Sequence, residues 1–240
     1  MKLDKNNEEV KDKERKVIIP KTCRIKRELR YVDDESISER VGGITTEFIK
    51  GFKLLEKYDL AATFFGSARC KPDNEMYKQA SKLAYKLSDV GFTIITGGAA
   101  GIMEAANKGA SDAGGDSVGI NIELPMEQSG NGFTTDSESF KHFFTRKVML
   151  TFASEIYVYF PGGFGTLDEF FEIATLIQTK KIEPIPIVLV GKEYWMPLVK
   201  WFEEGLFERY HTIHKEDMNI YTLVDSVDEA YNIIMDKVCE

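Results

Sequence analysis

Short apolar runs alternate with amphipathic stretches from Leu60 to Val238, and this alternation limits the fold more than any other feature of the chain. The apolar runs have the length of buried strands, and the amphipathic stretches carry apolar residues at helical spacing. The predicted strands are Leu60–Phe65, Phe92–Ile95, Ser117–Ile122, Ile156–Phe160, Ile185–Val190 and Ile220–Val224. The predicted helices are 44–55, Glu75–Val90, Gly101–Ala113, Ser139–Ser154, Phe170–Ile177, Tyr194–Leu206 and Val227–Val238. Such alternation predicts an α/β fold, a Rossmann-like doubly wound parallel sheet with helices on both faces.

The first 40 residues differ from the rest of the chain. They are dense in charges of both signs, as in Lys11–Lys16 and Lys21–Arg30, and carry too few apolar side chains to form a core. We predict that residues 1–40 form a charged arm that is flexible or peripheral. No linker interrupts the pattern that follows, and 240 residues suit one α/β domain. Residues 41–240 are therefore predicted to form a single domain.

The composition argues against several kinds of partner. The formal net charge is −8, so the chain as a whole does not attract a nucleic-acid polymer, although a mononucleotide needs only a local positive pocket. The three cysteines and three histidines match no metal-ligand spacing, and we expect neither a metal site nor a disulfide framework. The sequence lacks a signal-peptide pattern and an apolar run long enough to span a bilayer. We therefore expect a cytoplasmic protein with no membrane partner.

A glycine-rich turn, Pro161–Thr166, joins the predicted strand ending at Phe160 to the predicted helix beginning at Phe170. Its three glycines favour positive φ and let a ligand approach the main chain. The free N–H groups at the start of the helix suit a phosphate group. Thr166 and Glu169 have the spacing of a capping box, so they could instead only stabilise the helix. A cap does not require the additional glycines, and a ligand-binding turn explains them better.

Two other predicted strands end in small residues, at Gly66-Ser67 and at Gly97-Gly98. Ligands of open α/β sheets bind beyond the carboxyl ends of the strands, so the three turns are predicted to converge on one site. The second turn does not fit G-x-G-x-x-G, and the sequence contains no G-x-x-x-x-G-K-[ST]; NAD and P-loop ATP sites are therefore disfavoured. Arg146 and Lys147, surrounded by apolar residues, would supply a counter-charge for an anion.

Four segments resemble, in the same order, motifs of the Lonely Guy family, phosphoribohydrolases that release a base from a nucleoside 5′-monophosphate. They are TGGAAGIMEAAN at 96–107, GINIELP at 119–125, FFTRK at 143–147 and PGGFGTLDE at 161–169. The similarity extends over about residues 60–235. Many members of this family were long labelled lysine decarboxylase-like.

The resemblance implies hydrolysis of the N-glycosidic bond of AMP or a cytokinin riboside monophosphate, without a cofactor, by a nucleotide-binding catalytic domain at residues 41–240. It also implies a homodimer or a larger homo-oligomer, with residues 44–58 and the helix around Phe143 as candidate contacts. The catalytic pair falls on Glu169 and Arg146. Substrate and phosphate contacts are expected from Gly162, Gly163, Gly165, Thr166, Lys147, Gly97, Gly98, Ser67, Met103 and Asp168.

The chain departs from the family at Ala99-Ala100, where many bacterial relatives have glycine and proline. A methyl group at Ala99 would disfavour a positive φ at that position. This departure supports a second hypothesis, a nucleotide-binding regulatory protein without turnover. A third possibility, pyridoxal-dependent lysine decarboxylation, is disfavoured because it needs a Schiff-base lysine, and Lys147 is better explained as the neighbour of Arg146.

Overall fold

The structure is a computed structural model that describes residues 36–123 and 130–238. The strands are β1 (Ala61–Phe65), β2 (Thr93–Thr96), β3 (Ser117–Ile122), β4 (Asp136–Phe140), β5 (Ile156–Tyr159), β6 (Ile187–Val190) and β7 (Tyr221–Val224). The helices are α1 (Ile37–Leu55), α2 (Glu75–Asp89), α3 (Ile102–Asp112), α4 (Phe143–Thr151), α5 (Phe164–Gln178), α6 (Lys192–Trp201) and α7 (Val227–Val238). All pairs of neighbouring strands are parallel, in the order β4-β3-β2-β1-β5-β6-β7, which confirms the predicted fold class.

The direction in which the chain winds across the sheet reverses between β1 and β5. From β1 the chain proceeds to one edge through β2, β3 and β4, and it then returns to β5 and proceeds to the other edge. Ligands of open α/β sheets bind at such a point. The N–H of Ser67, just after β1, donates to the carbonyl oxygen of Pro161, just after β5, at 3.0 Å. Two of the three turns that the sequence predicts to converge are therefore neighbours.

Each face of the sheet has its own apolar core because the central strands are buried on both sides. Helices α2, α3 and α7 cover one face with small and aliphatic side chains such as Leu83 and Ile102. On the other face α1, α4, α5 and α6 form a core rich in aromatic rings. There the ring of Phe170 lies 5.6 Å from that of Tyr159 and 5.9 Å from that of Trp195.

Strand β4 was not among the predicted elements, and the helix predicted over Ser139–Ser154 is wrong in its first part. Among the described strands, β4 lies at the edge of the sheet and pairs only with β3. Its carboxylates are neutralised by lysines, since Lys57 Nζ lies 2.6 Å from Asp136 and Lys50 Nζ lies 3.6 Å from Glu138. A polar edge strand is held by backbone pairing and carries no apolar alternation, so the pattern could not reveal it.

Helix α1 is longer than the sequence predicted, and the helix predicted over Tyr194–Leu206 consists of two segments. Helix α1 begins before the predicted start at residue 44 because Ser36 and Glu39 form a capping box, with Ser36 N 2.9 Å from Glu39 Oε2 and Glu39 N 3.3 Å from Ser36 Oγ. Helix α6 continues directly into a π-helical segment, Phe202–Arg209. The S-x-x-E signal of α1 was present in the sequence and was overlooked.

Part of the predicted organisation lies outside the described residues. The predicted arm lies outside the described residues except for residues 36–40. Leu124 and Pro125 of the third family motif also lie outside them. Contacts divide the chain into residues 1–40 and 41–240 as two units, and the arm's flexibility and the single catalytic domain stay predictions. Within the described ranges, none of the helices combines the length and the apolarity that crossing a bilayer requires.

Candidate active site

The turn after β5 leads directly into α5, whose first residue is Phe164. The helix therefore begins earlier than predicted, and the alternative that Thr166 and Glu169 form a capping box does not hold: the N-cap residue is Gly163, and none of the described side chains caps the helix. The positive φ expected for the glycines of this turn is also wrong, since Gly162, Gly163 and Gly165 all lack it. Uncapped N–H groups in the first turn of a helix remain able to bind an anion.

Packing, rather than backbone freedom, requires a glycine at position 162. A Cβ there would overlap the side chain of Thr166, which is buried in the first turn of α5. The carbonyl oxygen of Gly162 accepts a hydrogen bond from Tyr194 Oη at 2.6 Å, which ties the turn to α6. A Cβ at Gly163 or Gly165 would instead meet open space. The outer side of the turn is thus free to receive a ligand.

The second glycine turn, after β2, holds the guanidinium group of Arg146. Arg146 Nη2 donates to the carbonyl oxygen of Gly97 at 3.3 Å, and Nε donates to that of Ile120 at 2.8 Å. A Cβ at Gly97 would overlap the guanidinium and would lie 3.0 Å from Met103 Sδ. Gly98 has a φ of 71°, which side-chain-bearing residues rarely adopt. Gly97, predicted to bind substrate, therefore also positions the guanidinium group of Arg146.

The two alanines that depart from the family cause no backbone strain. The positive φ values of this turn fall on Gly98 and Gly101 and on neither alanine, so the predicted conflict at Ala99 is wrong. A Cβ at Gly101 would overlap the carbonyl oxygen of Ser67. That oxygen accepts a hydrogen bond from Ile102 N at the start of α3, at 3.0 Å. Ser67 thus connects the three turns, and its carbonyl occupies the N-terminus of α3.

Lys147 joins α4 to α5 through two carboxylates. Its Nζ lies 2.8 Å from Asp168 Oδ2 and 2.9 Å from Glu172 Oε2. Burial lowers the pKa of Lys147, but the hydrogen bonds to Asp168 and Glu172 and the nearby negative charges outweigh burial and raise the pKa overall. Lys147 and Asp168, both predicted to contact substrate, are therefore bonded to each other, and the lysine remains protonated.

Glu169 is buried in α5 beside the two basic residues of α4. Its side chain is 6% exposed, and its Oε2 is buried without a hydrogen-bond partner within residues 36–123 and 130–238. Burial raises the pKa of Glu169 to about 7, against the opposing charges of Lys147 and Arg146. Burial likewise lowers the pKa of Arg146, and the charge of Glu169 opposes that shift. The structure thus brings the predicted catalytic pair together, and a carboxyl group that titrates near neutral pH suits acid–base chemistry.

Two side chains that the sequence analysis did not single out belong to the same site. Glu172 lies three residues after Glu169, on the same side of the helix, so helical spacing could have revealed it. Tyr159, the last residue of β5, has a fully buried hydroxyl group that finds no hydrogen-bond partner in the part of the chain that the structure describes. Burial, followed by the charges of Glu169, Tyr157 and Glu172, raises the pKa of Tyr159 well above its ordinary value. The sequence pattern did not indicate this hydroxyl group because Tyr159 lies within an apolar strand.

No group of three or more His, Cys, Asp or Glu side chains among residues 36–123 and 130–238 is arranged to hold a metal ion. Cys70 is a free thiol, whereas Cys23 and Cys239 lie outside the described residues.

Comparison with known proteins places this site in a family. The model of the family described as "Possible lysine decarboxylase" matches residues 103–234. A protein of Rhodococcoides fascians named cytokinin riboside 5′-monophosphate phosphoribohydrolase is 27% identical over 122 residues, which are 50% of this chain and 62% of that protein. An uncharacterised protein of Archaeoglobus fulgidus is 30% identical over 129 residues, which are 52% of this chain and 81% of that protein. The chain thus spans less than two thirds of the Rhodococcoides protein.

Solved structures support the fold. The molybdenum cofactor carrier protein from Chlamydomonas reinhardtii superimposes with a TM-score of 0.57 at 20% identity, covering 76% of this chain and 99% of that chain. At this identity the likeness concerns the fold alone. The family model, in contrast, matches more than half of the 240 residues, and the matched range includes Arg146 and Glu169. The chain therefore belongs to the Lonely Guy family, whose model carries the description "Possible lysine decarboxylase".

Proposed function

We propose that this protein hydrolyses the N-glycosidic bond of a nucleoside 5′-monophosphate, such as AMP or a cytokinin riboside monophosphate. The products would be a free base and ribose 5-phosphate. The observation that carries the proposal is the buried carboxyl group of Glu169, whose Oε2 has no hydrogen-bond partner among the described residues and whose charge is coupled to the cations of Arg146 and Lys147. This group lies on the helix whose uncapped N-terminus suits a phosphate. The name of the Rhodococcoides relative supports the same reaction.

The positions of these residues suggest a role for each of them in the reaction. Cleavage of an N-glycosidic bond develops positive charge on the ribose, as in other glycosyl transfers. The ionised Glu169 would stabilise this charge and orient the attacking water. The water oxygen bonds to C1′ while the bond from C1′ to the base nitrogen breaks, and that electron pair stays on the base. One proton of the water remains on the new ribose hydroxyl and the other ends on the base. Arg146 would orient the phosphate or polarise the leaving base.

Lysine decarboxylation fits this site poorly. A lysine that forms a Schiff base must react as a neutral amine, and enzymes achieve this by lowering its pKa. Lys147 has the opposite environment, because Asp168 and Glu172 hold it by ion pairs and its pKa is raised. The description of the family model therefore does not indicate the reaction that we propose for this chain. An absorbance band from pyridoxal phosphate bound to the purified protein would contradict this view.

Incubation with AMP tests the proposed reaction directly. We expect chromatography to show adenine and ribose 5-phosphate in equal amounts, and a panel of nucleoside monophosphates would then give the base preference. A regulatory binding protein would instead show a higher melting temperature with AMP and no adenine. If none of the nucleotides is hydrolysed, the proposed function is wrong.

A pair of glycine variants tests where the phosphate binds. Gly165→Ala adds a methyl group in open space, so we expect its melting temperature to stay constant or rise slightly, as for Gly→Ala in other helices. If the phosphate binds the first turn of α5, the same methyl group should raise KM for AMP about tenfold, through partial loss of one charge-assisted hydrogen bond. In the comparison variant Gly162→Ala the new Cβ overlaps Thr166, which should cost about 1–3 kcal/mol of stability. A normal KM for Gly165→Ala would place the phosphate elsewhere.

We propose further that a second copy of this chain covers the exposed apolar face formed by α1 and α4. Phe52 and Phe152 are both exposed there, with ring centroids 6.5 Å apart, and Ile49 and Phe144 are exposed on the same two helices. We expect light scattering to show a homodimer or a larger assembly that Phe152→Asp shifts towards the monomer, because a buried unpaired charge is costly. Val90→Asp, an exposed position after α2 on the other face, should not change the assembly. A monomeric wild-type protein would contradict the proposal.

A further inference from the structure

A carboxylate from α1 holds the start of α4, the helix that carries Arg146. Glu47 Oε1 accepts a hydrogen bond from Lys141 N at 3.0 Å and lies 3.1 Å from His142 Nδ1. Glu47 Oε2 accepts from His142 N at 3.4 Å and bonds to the hydroxyl group of Thr145. One side chain thus contacts the two residues before α4 and a residue of its first turn.

The environment of Glu47 favours its ionised form. Its side chain is 14% exposed. Burial would raise the pKa of Glu47, but the hydrogen bonds from Thr145, Lys141 and His142 and the charge of His142 outweigh burial and lower the pKa. A negative charge at a helix N-terminus is also stabilised by the partial positive charge of the helix end.

Helix α4 depends on this contact because it is short and lacks a cap of its own. It has nine residues, and the side chain of its N-cap residue, His142, makes no capping bond. Helices of this length are not stable alone and rely on tertiary contacts. The N–H of Arg146 donates to the carbonyl oxygen of His142 at 3.2 Å, so the backbone of Arg146 is bonded to a residue that Glu47 holds.

We propose that Glu47 is a positioning residue, which places the guanidinium group of Arg146 by fixing the start of α4. Glu47 acts from one end of α4, and the carbonyl oxygens of Gly97 and Ile120 fix the guanidinium from the other side. This role rests on the proposed function, since Arg146 matters only if the site is catalytic. Glu47 lies outside residues 103–234, so the family match does not include this contact.

The activity test measures AMP hydrolysis by Glu47 variants, both in the otherwise wild-type protein and in the Arg146→Lys variant. We expect Glu47→Ala to reduce kcat/KM about tenfold to hundredfold, the size of effect that follows a small misplacement of a catalytic group. Glu47→Gln, which keeps one acceptor oxygen, should lose less. In the Arg146→Lys background, Glu47→Ala should reduce the remaining activity less than about twofold, because the two residues act through one group. Glu56→Ala, an exposed carboxylate just after α1, is the control and should retain wild-type activity.

Hydrogen–deuterium exchange tests the positioning without relying on activity. Peptides covering residues 142–151 should exchange faster in Glu47→Ala than in the wild type or in Glu56→Ala, while peptides from α2 and α7 should not change. Unchanged exchange of α4, full activity of Glu47→Ala, or an equal loss in both backgrounds would each overturn the proposal. If the wild type releases no base from any nucleotide, the proposed function is wrong, and the exchange measurement still decides whether Glu47 holds α4.

Discussion

Glu169→Gln is expected to reduce adenine release from AMP by at least about a hundredfold, the usual effect of removing a group that stabilises a charged transition state. Glutamine has nearly the same shape, so the sheet and α5 should form as before. The amide cannot carry the negative charge that the positively charged ribose requires. Adenine release measured by chromatography, together with a circular dichroism spectrum, checks both statements. Glu193→Gln, at an exposed position in α6, serves as the control and should retain full activity.

The same variant should be more stable than the wild type above pH 7. Burial raises the pKa of Glu169 from 4.5 to about 7, so the folded state binds this proton more tightly than the unfolded state does. Wild-type stability therefore falls as the pH rises from about 4.5 to about 7, and the loss is complete above that range. The resulting decrease in the free energy of unfolding is at most about 3 kcal/mol. Glutamine does not titrate, so the two melting temperatures should agree near pH 4.5 and diverge at pH 8. A variant that is less stable than the wild type at pH 8 would contradict the assigned burial.

Arg146→Ala is expected to lower kcat/KM for AMP by about a hundredfold or more, because it removes the cation that faces the buried carboxyl group. It should also change the pH dependence. In the mechanism that we propose, hydrolysis requires ionised Glu169, so wild-type activity should rise as the pH increases through about 7. The charge of Arg146 lowers the pKa of Glu169, so its removal should move the midpoint of the remaining activity to higher pH.

A matched surface variant separates this effect from a general loss of charge. Arg209→Ala removes an exposed guanidinium group that lies over the ring of Tyr210, on the π-helical segment. This variant should change neither kcat/KM for AMP nor the pH midpoint of the activity. If Arg146→Ala retains the wild-type midpoint, Arg146 and Glu169 are not coupled as the structure indicates, and the assignment of the pair is wrong.

The sequence predicted most of the fold because the central strands are buried on both faces and therefore read as continuous apolar runs. Strand β4 was missed for the opposite reason: its Asp136 and Glu138 are stabilised by lysines from a distant segment, and its pairing with β3 is backbone to backbone. The start of α5 was predicted too late because Gly163 and Gly165 are poor helix formers, whereas packing of Thr166 against Gly162 places the first turn there.

The candidate site was predicted less completely than the fold. The motifs indicated Glu169 and Arg146, and in the structure the charge of each shifts the pKa of the other. Three features were not predictable from the sequence: the contact of Gly97 with Arg146, the ion pairs of Lys147, and the buried hydroxyl group of Tyr159, which has no partner among the described residues. Each depends on segments that are distant in sequence and meet only at the carboxyl edge of the sheet.

The order of the residues was sufficient to predict the parallel α/β architecture, the three glycine-bearing turns and the family. These features depend on local periodicity and on short motifs, which are complete within a few residues. The charge states in the site, in contrast, depend on how the chain folds. The pKa of Glu169 follows from burial between α4 and the sheet, and the place of Arg146 follows from carbonyl oxygens after β2 and within β3 and from the contact of Glu47 with the start of α4. Desolvation and charge pairing depend on residues that are close in space but distant in the sequence, so the spacing of residues along the chain does not reveal them.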